Sequence, residues 1–129
     1  MPVATSIRTM IVDDQLTIRS LVRSGLQQLG FTEFQECPDG EEALRAVLAR
    51  PVHLIISDFN MPKLDGLGFL RAVRSHPPIA KTAFIMLTGR ADKELVQRAV
   101  QYGVNNYLVK PFTVATLKEK IESVFGALT

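Results

Sequence analysis

The feature that most constrains this chain is a recurrence: five times, a short apolar run is followed by a segment with helical periodicity. The runs are Met10-Ile11-Val12, Phe34 to Cys37, Leu54-Ile55-Ile56, Phe84-Ile85-Met86-Leu87 and Tyr107-Leu108-Val109. Continuously apolar runs of this length suit parallel strands covered on both faces. Phe34-Gln35-Glu36-Cys37 is more polar and alternates, which predicts an edge strand. Between the runs, Ile18, Leu21, Val22, Leu26 and Leu29 form one stripe at spacings of three and four, ended by Gly30. Asp39-Gly40-Glu41-Glu42 is a capping signal, with Asp39 accepting from free N–H groups and Glu42 reaching back, ahead of Ala43, Leu44, Val47 and Leu48. A third helix carries Leu67, Leu70 and Val73 and stops before Pro77-Pro78. The fourth opens at Asp92, presents Leu95, Val96, Ala99 and Val100, and stops at Gly103. The last begins at Thr113 with Leu117, Ile121, Val124 and Leu128. Strict alternation predicts an α/β fold: a doubly wound, five-stranded parallel sheet sandwiched by five helices.

The 129 residues leave room for one domain. A net charge of +2 without a basic run gives no argument for nucleic acid or membrane binding. One cysteine, Cys37, excludes an internal disulfide and a multi-cysteine zinc site. No apolar run approaches the roughly 20 residues of a membrane span, and no secretory signal is visible, so the expected location is the cytoplasm.

In an open parallel sheet, ligands bind beyond the carboxyl ends of the strands. Asp13-Asp14 follow the first run, Ser57-Asp58 the third, Thr88 the fourth and Lys110 the fifth. Three carboxylates converging on one rim would raise one another's pKa, and one ammonium cannot neutralise them. A divalent cation supplies the missing charge, and all-oxygen ligation suits Mg2+. Asp58, centrally placed on rigid backbone, is the candidate nucleophile for a phosphoryl group. Phosphoryl transfer needs little beyond such positioning and charge neutralisation.

Val12-Asp13-Asp14, Ser57-Asp58-Phe59-Asn60-Met61-Pro62 with Asp65-Gly66, Thr88-Gly89 and Lys110-Pro111-Phe112 closely resemble the receiver domains of two-component response regulators, and among them the single-domain chemotaxis regulators. The resemblance runs from about Arg8 to Leu128 with the motifs in order. It implies a flavodoxin-like sheet in the order 2-1-3-4-5, and one receiver domain over 1–129 with a short tail at 1–6. It further implies that Asp58 accepts a phosphoryl group from a histidine kinase or histidine phosphotransfer protein. Asp14 and Asp58 would ligate Mg2+ directly with the backbone carbonyl of Asn60, and Asp13 would hold a metal-bound water. Lys110 would contact the phosphoryl group, with a cis bond to Pro111, and Thr88 and Tyr107 would form a switch pair.

The same resemblance places the output on a face of the fourth helix, fifth strand and fifth helix, with Lys93, Val96, Val100, Val104, Tyr107, Phe112 and Lys120. A downstream protein would dock there, most simply in flagellar motor control, and the protein is expected to be a monomer and not an enzyme beyond its own phosphorylation and slow dephosphorylation. A phosphoryl shuttle or sink, or the receiver piece of a larger regulator, are the alternatives. Arg90 stands where the chemotaxis proteins carry an acid and Asp92 where they carry lysine, which bears on phosphate lifetime and partner. Two rival classes fit less well. Haloacid-dehalogenase phosphatases need a second aspartate at the position of Asn60, and flavin carriers need a hydroxyl- and glycine-rich loop where Asp13-Asp14 stand.

Overall fold

The strand Leu54–Asp58 is buried at all of its positions, because it pairs on both edges and is covered on both faces. This is β3, the centre of the sheet in the computed structural model, which describes residues 3–89 and 93–128. Around it lie β1 (Arg8–Val12), β2 (Glu33–Cys37), β4 (Ala83–Thr88) and β5 (Asn106–Val109), all parallel, in the order β2-β1-β3-β4-β5. The helices are α1 (Leu16–Gln28), α2 (Gly40–Ala49), α3 (Gly66–Ser75), α4 (Lys93–Gln101) and α5 (Val114–Phe125). The chain steps one way from β1 to β2 and the other way from β2 through β5. Right-handed crossovers therefore put α1 on one face and α2, α3 and α4 on the other.

Alternation along each strand builds two cores. Met10, Val12, Ile55, Phe84 and Met86 face α2 and α3 through Ala43, Val47, Leu70 and Val73, and the Phe69 and Phe84 rings meet at 5.5 Å. Ile11, Leu54, Ile56, Ile85 and Leu87 face α1 and α5 through Val22, Leu26, Leu117 and Ile121. The edge strand β2 is half-buried over most of its length, without the clean alternation its sequence suggests.

The helix ends follow their local chemistry. Asp39, Asp65 and Thr113 cap α2, α3 and α5 by accepting from the N–H groups of Glu42, Gly68 and Thr116. Gly30 and Gly103 take φ of 96° and 87° just beyond α1 and α4. The peptide bond Lys110–Pro111 is cis.

Several expectations change. Leu21 is 55% exposed, because its place on the α1 stripe turns past the sheet, and Gly25 takes the buried position. Leu128 lies beyond the end of α5 yet still packs on the second core. Within the short N-terminal tail, Ala4–Ser6 form a 3-10 turn with Ala4 buried. Arg90 and Asp92, and the opening of the fourth helix with them, lie outside the described residues.

Cys37 ends β2 in the first core. Burial pushes its thiol up from 9.0 to about 11, and the charges of Glu42 and Asp39 push the same way. A folded pKa above the unfolded one adds stability that is complete below the unfolded value and disappears as pH rises towards about 11. A rise from 9.0 to about 11 also lowers the thiolate fraction about a hundredfold. A disulfide thiol reagent at neutral pH should therefore react with the native protein at least that much more slowly than with the unfolded chain. Equal rates would place the thiol in solvent.

Candidate functional site

β1 and β3 are adjacent but their connections leave in opposite directions, so a crevice opens beyond their carboxyl ends. Asp13 is the first residue past β1 and Asp58 the last of β3. The backbone N–H of Asp13 donates to the Cys37 carbonyl and extends the ladder by one step, which holds its side chain at the rim. Beyond Asp58 the chain turns at once, with Phe59 N–H donating to Leu87 and Gly66 N–H donating to Phe59.

Asp13, Asp14 and Asp58 each bring one carboxylate oxygen within 4.8 Å of the others. Asp13 is fully buried, Asp58 is 6% exposed, and Asp14 opens to solvent. Lys110, just past β5, reaches across with its Nζ 2.8 Å from Asp58 Oδ1 and 3.5 Å from Asp13 Oδ2. Asp13 Oδ1 accepts from the Gln15 N–H at 2.9 Å.

Burial raises the Asp13 carboxyl above its ordinary value; the Gln15 N–H and Lys110 oppose this, and the charge of Asp58 adds to it. Burial alone would lower Lys110, but its hydrogen bond to Asp58 and the charges of Asp58 and Asp13 outweigh that and raise it. Lys110 stays an ammonium, while the carboxylates remain crowded. Three carboxylates against one ammonium leave about two negative charges uncompensated in the crevice. That donor set is all oxygen, open to solvent on the Asp14 side and free of thiol or imidazole, which fits Mg2+.

Thr88 closes β4 and is 3% exposed, on the wall of a cleft of about 320 Å3 that starts at Asp58. Phe59, Asn60, Leu67, Glu94 and Arg98 line the same cleft. The structure thus brings Asp13, Asp14, Asp58 and Lys110 together, with Thr88 and Asn60 beside Asp58. Tyr107 sits apart, half-buried on β5, with Lys120 Nζ 5.0 Å above its ring.

On the expected output face, Lys93, Val96, Gln97 and Tyr107 line a groove of about 180 Å3, and Val100 is 62% exposed. Val104 packs on the core beneath it. Phe112 departs from this set. It packs on the α1 and α5 core and lines a separate, mostly apolar cleft with Ile18, Leu21 and Pro111. Gln15, Lys110 and Val114 line the same cleft, which runs along the α1 side of the sheet.

Two residues that line the Asp58 cleft, Glu94 and Arg98, were not singled out by the sequence. Their signal is the i, i+4 spacing, which puts both on the side of α4 facing the strand ends.

The chain belongs to the response regulator receiver domain family, which it matches over residues 9–122. It is a receiver closely related to the CheY chemotaxis regulators. The probable chemotaxis protein CheY of Rhizobium etli is 53% identical over 128 residues, 99% of each chain. The structure of Vibrio cholerae CheY4 superposes with a TM-score of 0.85 at 36% identity, covering 92% of this chain and 98% of that one. CheY in the CheX–CheY–BeF3–Mg2+ complex from Borrelia burgdorferi is similar at TM-score 0.86 and 25% identity, over 92% and 89% of the chains. CheY-like receivers are signalling proteins rather than enzymes in the ordinary sense, and they work with histidine kinases and downstream targets. Among the described residues no helix is long and apolar enough to cross a membrane.

Proposed function

We propose that Asp58 accepts a phosphoryl group from a histidine phosphodonor, and that the resulting charge changes the α4–β5–α5 face offered to a downstream protein in chemotaxis. The observation that carries this reading is the meeting of Asp58 with Asp13, Asp14 and Lys110 at the crevice between β1 and β3. Asp14, Asp58 and the Asn60 carbonyl would hold Mg2+, with Asp13 one water further out. Bound there, the ion would offset the carboxylates and the charge of the phosphoryl oxygens.

A carboxylate oxygen of Asp58 forms the new O–P bond as the donor's P–N bond breaks, and that electron pair returns to the imidazole. Lys110, already 2.8 Å from Asp58 Oδ1, holds a phosphoryl oxygen in line. The Thr88 hydroxyl donates to another, and Tyr107 turns into the space so released. The downstream partner selects that conformation and, by linkage, favours phosphorylation in return. Lys93, Val96, Val100, Tyr107 and Lys120 form the docking face, with Val104 supporting it from beneath. The protein acts as a monomer in the cytoplasm.

The first test is intact mass after incubation with acetyl phosphate. A labile adduct of one phosphoryl group should form with Mg2+ and vanish with a chelator. Saturating Mg2+ should also stabilise the fold, by about 2.7 kcal/mol at a hundred times Kd. An adduct of equal yield in chelator would remove the metal from the reading.

A further inference from the structure

Resting on that reading, we infer that Arg98 is a second cation of the phosphorylation cleft, which contacts the anionic oxygens of the phosphodonor and of the aspartyl phosphate from the α4 side. The cleft of about 320 Å3 next to Asp58 is larger than one phosphoryl group needs, and Lys110 is not among the residues that line it. Its far wall is α4, which presents Leu95, Glu94 and Arg98. Glu94 already has an interaction of its own. Arg98 forms no ion pair or hydrogen bond through its guanidinium among the described residues. By contrast, Arg8, Arg19, Arg23, Arg45 and Arg74 are all engaged. An uncommitted guanidinium on the wall of an anion-accepting cleft has no local structure to lose when it turns towards a ligand.

Charge arithmetic gives it a role. Three carboxylates and Lys110 sum to about two negative charges, and a divalent cation brings the crevice to neutrality. Glu94 on the same wall would then repel a dianionic donor, and Arg98 offsets that charge and offers the donor's oxygens a local attraction on the α4 side. α4 is also thinly held, with Ala99 its one fully buried residue. Attraction between Arg98 and a phosphoryl group on Asp58 therefore acts on an element that can shift at little cost.

The experiment compares wild type, Arg98→Gln, Arg98→Lys and Lys118→Gln, the last an equal charge loss on an exposed site of α5. Initial rates of adduct formation from acetyl phosphate with Mg2+ are measured by intact mass at low and high ionic strength. In parallel, the Arg98 Nε–H signal is followed by NMR as beryllofluoride is added with Mg2+. Arg98→Gln should slow phosphorylation about fivefold at low salt and flatten its salt dependence. Arg98→Lys should recover most of the rate, Lys118→Gln should match wild type, and the Nε–H signal should shift with beryllofluoride in the wild type. An adduct formed equally fast in Arg98→Gln, or an equal loss in Lys118→Gln, or an unmoved Nε–H signal, overturns the role of Arg98 and leaves the Asp58 reading standing. No adduct on the wild type itself overturns both.

Discussion

Asp58→Asn should abolish the Mg2+-dependent phosphoryl adduct and leave the fold about as stable as the wild type. The amide oxygen lacks the charge and nucleophilicity of the carboxylate, so no phosphoryl transfer to that position is expected. The structural effect is smaller for a specific reason. Lys110 Nζ lies 2.8 Å from Asp58 Oδ1 but also 3.5 Å from Asp13 Oδ2, so the ammonium keeps a charged partner when Asp58 is neutral. Repulsion by Asp58 is one cause of the raised Asp13 carboxyl, and removing it lets Asp13 fall back towards its ordinary value. Lost attraction to Lys110 and relieved repulsion oppose each other, which should hold the net change in unfolding free energy within about 1 kcal/mol. Intact mass and urea unfolding on the same sample check both halves. An adduct that persists in a folded Asp58→Asn protein would move the acceptor to Asp13 or Asp14.

The layered sheet was legible because its signals are local and repeated. Leu54–Ile56 and Phe84–Leu87 can be continuously apolar only if both faces are covered, and that single inference yields a parallel sheet with crossovers on each side. Caps at Asp39 and Thr113 sit where their sequences put them. Leu21 shows the limit. Helical spacing assigns it to a stripe, but the width of that stripe depends on how closely α1 approaches α5. Gly25 sits against the Leu117 side chain, where an added Cβ would meet it at 3.0 Å, and this rotates the buried face away from Leu21.

The strand-end residues were legible for the same topological reason: Asp13, Asp14, Asp58, Thr88 and Lys110 each follow an apolar run, and parallel strands gather such positions on one rim. Arg98 was not, since it comes from the middle of a helix. Its place on the cleft wall follows from how α4 leans on the sheet rather than from any motif. Phe112 shows another limit: the resemblance grouped it with the output face, whereas its ring packs on the α1 and α5 core.

The backbone that presents Asp58 depends on a residue with no functional atom, and Gly66→Ala should expose this. A Cβ on Gly66 would stand 2.4 Å from the Asp58 carbonyl oxygen and 2.9 Å from Phe59 Cα, both backbone atoms that cannot rotate away. The Met86 sulfur at 2.9 Å blocks the remaining side. Gly66 is also the first residue of α3, and its N–H donates to the Phe59 carbonyl at 2.8 Å, so the helix start is tied to the strand exit. Making room for one methyl must push α3 from β3 or displace the Asp58–Asn60 turn. Overpacking of this kind costs about 3 kcal/mol, and most of that displacement falls on the group that has to meet both Lys110 and the phosphodonor. Gly89→Ala is the matched comparison, because a Cβ there meets none of the described residues within 4 Å although Gly89 lines the same cleft. Urea unfolding midpoints should separate the two variants by about 1–3 M, the cost of about 3 kcal/mol divided by a slope of about 1–3 kcal/mol per M, and phosphorylation at a temperature where both are folded should fall in Gly66→Ala well below Gly89→Ala. Equal stability would show that the turn after β3 yields freely. Equal phosphorylation despite lost stability would show that the close approach of α3 holds the fold without fixing the nucleophile.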